Sequence, residues 1–175
     1  MNKGMTLVEL LAVLAIAGIL AMLAVPSLQG FVAEQRRQVV ARELAAALRT
    51  ARMEAITRQA PVVVRAFYNG WSWGWTTALD IRGLRNAPRT VLRRHVLDGQ
   101  TRIVGNLWLK NEVRFDSSGA PTGTAGHSNI GSLYLCDTQR PLMRLRIVLD
   151  WVGRIRLTDQ LDRGTTDACA KPVKR

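Results

Sequence analysis

Four arginines in the last third of the chain are the residues best placed to do chemistry. Arg154 and Arg156 follow Gly153 in the run Gly-Arg-Ile-Arg, and Arg144 and Arg146 precede it with the same alternate spacing. Strand side chains alternate between faces, so each pair points to one side. Leu145, Ile147 and Leu149 fall in the opposite phase before Gly153, as do Ile155 and Leu157 after it. The pattern predicts a hairpin whose turn contains Gly153, with one apolar and one cationic face. Such a comb of guanidiniums matches a line of phosphates, because each planar fork grips phosphate in two places. The competing reading is a solvated edge strand whose charges discourage unwanted pairing. Arg163, Lys171, Lys174 and Arg175 carry the basic character into the tail, and Asp159, Asp162 and Asp167 dilute it.

No other set of residues has catalytic spacing. His95 and His127 lack an obvious nucleophile or metal partner, and Asp137, Asp150, Asp159, Asp162 and Asp167 fix no acid–base geometry. No Gly-rich phosphate loop is present. Cys136 and Cys169 lack the C-x-x-C spacing of a redox or zinc site. The sequence therefore predicts no enzyme, no cofactor and no metal centre. The two cysteines suggest a disulfide in an oxidising compartment, and free cytosolic thiols are the alternative. A bridge would close a loop of about 34 residues, worth about 3–4 kcal/mol in the chain-entropy model.

The charge balance fits an anionic partner. The 175 residues carry 25 Lys and Arg against 13 Asp and Glu, a formal net charge of +12. Only four of the basic residues are Lys, so the cations are nearly all phosphate-gripping forks. DNA, lipid headgroups or an acidic protein would each suit, and a coding bias toward Arg would produce the same composition.

These groups must be positioned by a helix and a sheet. A short leader with Lys3 ends at Gly4, and an apolar stretch from Met5 to Ala33 follows, with Glu9 as its one charge. About 20 apolar residues span a bilayer. A carboxylate at the bilayer centre costs about 2.5–3.5 kcal/mol on insertion scales, so Glu9 calls for a use. A cleaved signal peptide ending near Ala17 is a competing reading, but the apolar pattern runs on through Ile19, Leu20, Met22, Leu23 and Val25. From Glu34 to Arg58 the helix becomes amphipathic. Val40, Leu44, Leu48, Ala51 and Ala55 form an apolar stripe, with Ala47 and Ile56 beside it. Arg36, Arg37, Arg42, Arg49, Arg52 and Arg58 lie mostly off the stripe and read as a solvated face. The helix is expected to stop before Pro61.

Beyond Pro61 the pattern turns to strands. Val62–Val64 lead through Phe67 and Tyr68 to Asn69-Gly70, a strong hairpin signal. On the return strand Trp71, Trp73 and Trp75 alternate, so all three are expected on one side, as core rather than as a base-stacking platform. Further strands are expected at Thr90–Leu97, Val113–Phe115, Leu133–Cys136, Leu142–Leu149 and Gly153–Leu157.

Gly4-Met5-Thr6-Leu7-Val8-Glu9 resembles the processing motif of type IV prepilins and pseudopilins. The resemblance implies that a prepilin peptidase cuts after Gly4 and methylates Met5, where the family usually has Phe. It implies that Glu9 pairs with the amine of a neighbouring subunit, and that Pro26 marks a place where pilin helices bend or melt. The W-x-x-G-W run from Trp71 to Trp75 and the Gly153–Arg156 run resemble minor pilins of the FimT/GspH type. In FimT-like members the latter motif contributes to DNA binding in natural transformation. A structural tip or priming subunit of a pilus or type II secretion pseudopilus is the alternative.

The expected fold is α+β and type IV pilin-like, a long N-terminal helix packed on an antiparallel sheet. Its parts are a leader (1–4), a membrane or filament-core helix (5–33), an amphipathic continuation (34–60) and a β-rich globular region with a basic tail (61–175). Lys3 lies on one side of the apolar stretch and Arg36, Arg37 and Arg42 on the other, so the positive-inside rule, which does not settle topology by itself, would favour the opposite orientation. The cysteines and the resemblance favour a single-pass inner-membrane protein with its domain in the periplasm, later displayed in a pilus. Expected partners are DNA, other major and minor pilins, the prepilin peptidase and the inner membrane.

Overall fold

The structure is a computed structural model that describes residues 7–68, 70–80, 90–106, 108–123, 130–136, 143–160 and 168–169, without the side chains of residues 21, 23–29, 143 and 144. Helix α1 runs over Leu7–Arg58. Eight strands follow: β1 Val62–Phe67, β2 Gly70–Leu79, β3 Val91–Val96, β4 Arg102–Gly105, β5 Glu112–Phe115, β6 Gly131–Cys136, β7 Met143–Leu149 and β8 Ile155–Thr158.

The chain divides into two compact units, residues 1–36 and 37–175. In the first, the described side chains from Leu7 to Leu20 are all exposed, Glu9 included. No helix among the described residues is long and apolar enough to cross a membrane. The span expected over 5–33 includes side chains outside the described set. Helix α1 continues through Pro26 without a break.

In the second unit α1 has the expected stripe. Val40, Leu44, Leu48, Ala51 and Ala55 are buried, joined by Ala41 and Ala45. Frequent Ala lowers the cost of holding helix and brings the backbone close to its neighbours. Arg37 is also buried, so not every arginine here is a solvated one. The helix stops where the sequence suggests. Gln59 takes a left-handed conformation (φ 49°). Its amide donates to the Ile56 carbonyl and that of Ala60 to the Ala55 carbonyl, which satisfies two end carbonyls as Pro61 turns the chain away.

The antiparallel β-region expected from sequence is present as two four-stranded sheets, ordered β3-β2-β1-β5 and β4-β6-β7-β8. The expected strands are present, with β4 as an addition. Its short Arg-Ile-Val-Gly run has no alternation strong enough to mark it. Ser72 ties the sheets together, accepting from the Ile103 amide at 2.9 Å across to β4. One core joins the α1 stripe to Val62, Val64, Trp71, Trp75, Val113 and Phe115 of the first sheet and to Ile103, Leu133, Leu135, Ile147, Leu149 and Ile155 of the second.

Two departures have physical causes. Trp71 and Trp75 are buried as expected, whereas Trp73 is 46% exposed. The β1–β2 register shifts between Ala66 and Phe67, and Gly74 is left-handed (φ 120°), so alternation fails across this stretch. Trp71 also donates its indole N–H to the Leu109 carbonyl at 2.9 Å, which satisfies its polar atom inside the core. On the other face of the first sheet Arg114, opposite Val63, is buried in an ion pair with Asp80. Glu112 accepts from Arg114 at 2.8 Å and from Arg65 Nε at 2.9 Å. Burial, and then the neighbouring Arg65, lower the Arg114 pKa to about 10, which leaves it charged at neutral pH.

Candidate functional site

The β7–β8 hairpin is built in the register the alternation requires. Leu149 faces Ile155, Val148 faces Arg156, Ile147 faces Leu157 and Arg146 faces Thr158. Ile147, Leu149 and Ile155 enter the core. Arg146, Val148, Arg156 and Thr158 therefore share the outer face, and Tyr134 and Ser132 continue it on β6. Arg156 is exposed and Arg146 half-buried. Arg144 lies in β7, and its side chain is outside the described set.

Arg154 sits at the end of the turn, one residue before β8, rather than within the strand. Asp150 fixes it there. One carboxylate oxygen accepts from the Arg154 amide and the other from its guanidinium Nε, each at 2.8 Å. Partial burial pushes the Asp150 carboxyl up, but the hydrogen bonds from Arg154 and its charge outweigh this and hold the carboxyl below its usual range. Arg154 remains 65% exposed, so its other guanidinium edge faces solvent.

Gly153 shapes this turn and presents nothing. It is buried and left-handed (φ 77°). A Cβ there would fall against the Gly119 carbonyl oxygen and the Arg52 guanidinium. Gly119 belongs to a turn of the same chemistry. In both Asp116–Gly119 and Asp150–Gly153, an Asp opens the turn and a left-handed Gly closes it, its amide N–H donating a hydrogen bond back to the Asp carbonyl. Asp116 accepts from the Ser118 hydroxyl and from the amides of Ser118 and Ala120. The two turns meet glycine to backbone, with Arg52 and Ile56 of α1 against Gly119.

The helix contributes cations that the sequence assigned to solvent. Exposed Arg49 donates to the Ile155 carbonyl at 3.2 Å on the open edge of β8, and Arg52 lies against Gly153. Four guanidinium-bearing residues, Arg49, Arg52, Arg154 and Arg156, thus flank one short edge strand. Helical periodicity could not reveal this, because it says nothing of which strand an exposed face approaches. Asp150 was visible only as one of several scattered carboxylates, although Asp followed three positions later by Gly is a turn signal.

Cys136 and Cys169 are bonded, with Cα atoms 5.6 Å apart. Tyr134, Cys136 and Cys169 form a second small core with Val104 and Ala168 against it. Arg102 donates to the Cys169 carbonyl at 2.8 Å. The bridge thus holds residues 168–169 on the outer face of β4 and β6, in the same sheet as the arginine hairpin. Gly4, Met5, Lys171, Lys174 and Arg175 lie outside the described residues. Among the described residues no cluster of His, Cys, Asp or Glu could hold a metal ion.

A family profile described as the prokaryotic N-terminal methylation motif matches residues 1–25, and one described as the type II transport protein GspH matches residues 40–153. The second covers more than half of the chain. The chain belongs to the GspH/FimT family of type IV minor pilins and pseudopilins. Two crystal forms of the type IV minor pilin FimU from Pseudomonas aeruginosa share the fold of this GspH-family chain at 21% identity, with TM-scores of 0.53 and 0.55. They cover 69% and 73% of this chain, and 91% and 92% of their own. No curated protein matches the chain. The GspH match stops at Gly153, so Arg154 and Arg156 stand just beyond it. The methylation motif and the family mark a membrane-anchored pilus component.

Proposed function

We propose that this minor pilin binds DNA without sequence preference and works in DNA uptake. The observation that carries the reading is the hairpin register, which puts Arg146 and Arg156 on one outer face with Arg154 fixed at the adjoining turn. Guanidiniums in such a row contact successive phosphates and carry no base information. Arg49 and Arg52 add positive charge across the edge of β8, and Arg144, Lys171, Lys174 and Arg175 extend it by sequence. Processing after Gly4, methylation of Met5 and pairing of Glu9 with a neighbouring subunit's amine would place the domain in the periplasm and then in a filament. In lipid, an ammonium and a carboxylate each lower the other's desolvation cost. Full-length protein in detergent, titrated into labelled DNA, tests the reading. Arg154→Gln with Arg156→Gln should weaken binding at least tenfold, and unchanged affinity removes these residues from the site.

A structural reading is favoured by one observation: Arg154 already has an ion-pair partner within its own turn, Asp150 at 2.8 Å. The protein would then be a tip or priming subunit of a pilus or secretion pseudopilus, with its basic face against other pilins. Loss of piliation or secretion on deletion, with DNA binding by the cell intact, would support it.

A further inference from the structure

The tip of the β7–β8 hairpin carries an unexplained tryptophan. Trp151 is 74% exposed and Val152 beside it 42% exposed. They are the two central residues of the turn between Asp150 and Gly153, where small polar residues are usual. An indole there buries little on folding, so its presence is not accounted for by the core.

The backbone under it is held firmly. The Asp150 carboxylate bonds the Arg154 amide, the Gly153 amide returns to the Asp150 carbonyl at 3.0 Å, and Gly153 is wedged against the second turn at Gly119. Trp151 is therefore presented from a fixed loop, with the fixed and exposed guanidinium of Arg154 three residues away and exposed Arg156 beyond. A flat aromatic surface beside a row of cations suits a nucleic acid whose bases are unpaired, because every base has a face to stack while its phosphates meet the cations. In a duplex those faces are already stacked.

We infer that Trp151 stacks on an unpaired base while Arg154 and Arg156 hold the adjoining phosphates, so that the hairpin prefers single-stranded DNA. The inference rests on the DNA-binding reading above and adds the strand form that the site selects.

The test measures affinity of the full-length protein in detergent for a labelled oligothymidine and for a duplex of the same length. Wild type, Trp151→Ala, Trp151→Phe and the Arg154→Gln/Arg156→Gln double variant are compared. Trp151→Ala should lose about tenfold on the single strand and little on the duplex, while Trp151→Phe keeps most of the affinity. The double arginine variant should weaken both forms. Equal loss on both forms in Trp151→Ala, or no loss on either, overturns the stacking role; the latter is the result if Trp151 docks another subunit. No effect of any variant on either form overturns the DNA-binding reading itself.

Discussion

Gly153 sits where a side chain has no room, and Asp150 sits where a charge is already answered. The first follows from its left-handed backbone and from the Gly119 carbonyl and Arg52 that occupy the space a Cβ would need. Gly153→Ala should cost about 1–3 kcal/mol, read as a drop in melting temperature of several degrees. An unchanged melting temperature would mean that the turn relaxes freely. Asp150 makes a pH prediction. Its folded pKa is depressed, so its contribution is fully present above the unfolded value of about 3.9 and is lost as pH falls through the lower folded value. The difference in melting temperature between wild type and Asp150→Asn should hold from neutral pH to about 4 and shrink below it. A difference that persists at pH 2 would contradict the assignment of the stabilisation to the carboxylate.

Among the elements, the β4-β6-β7-β8 sheet carries the candidate site, and the Cys136–Cys169 bridge ties residues 168–169 to it. Cys136→Ser with Cys169→Ser should remove about 3–4 kcal/mol of stability by the loop-closure argument. Chemical denaturation of the double variant checks this, and a wild-type midpoint would show that the small Tyr134–Val104 core holds residues 168–169 without the bridge. Most of this sheet was legible in the sequence. Leu145, Ile147 and Leu149 alternate strongly enough to name the strand and its apolar face, and Gly153 marked the turn. The α1 stripe was legible for the same reason. Besides β4, three features were not. Trp73 leaves the core because a register shift interrupts an alternation that sequence alone reads as continuous. The Arg114–Asp80 pair joins a residue of β5 to the residue just after β2, which only tertiary structure brings together. Arg49 and Arg52 reach the edge of β8 because the stripe packs α1 across the sheets, and no local pattern shows where an exposed face comes to rest.

For the whole molecule, the two ends of the sequence carry different parts of the account. The N-terminal motif concerns assembly. Mass spectrometry of the protein from membranes should give a chain that begins at methylated Met5, and Gly4→Val should retain the four-residue leader. A start near residue 18 would indicate a cleaved signal peptide instead. The other end concerns what a filament subunit would hold, in a chain whose net charge of +12 rests mostly on Arg forks rather than Lys points. Its most direct test is the salt dependence of DNA affinity, measured on full-length protein in detergent beside the Arg154→Gln/Arg156→Gln variant. If the two guanidiniums hold phosphates, affinity falls steeply with salt and the double variant flattens the logarithmic slope by about 2 on duplex DNA. Parallel slopes and equal affinities for the two proteins would contradict it.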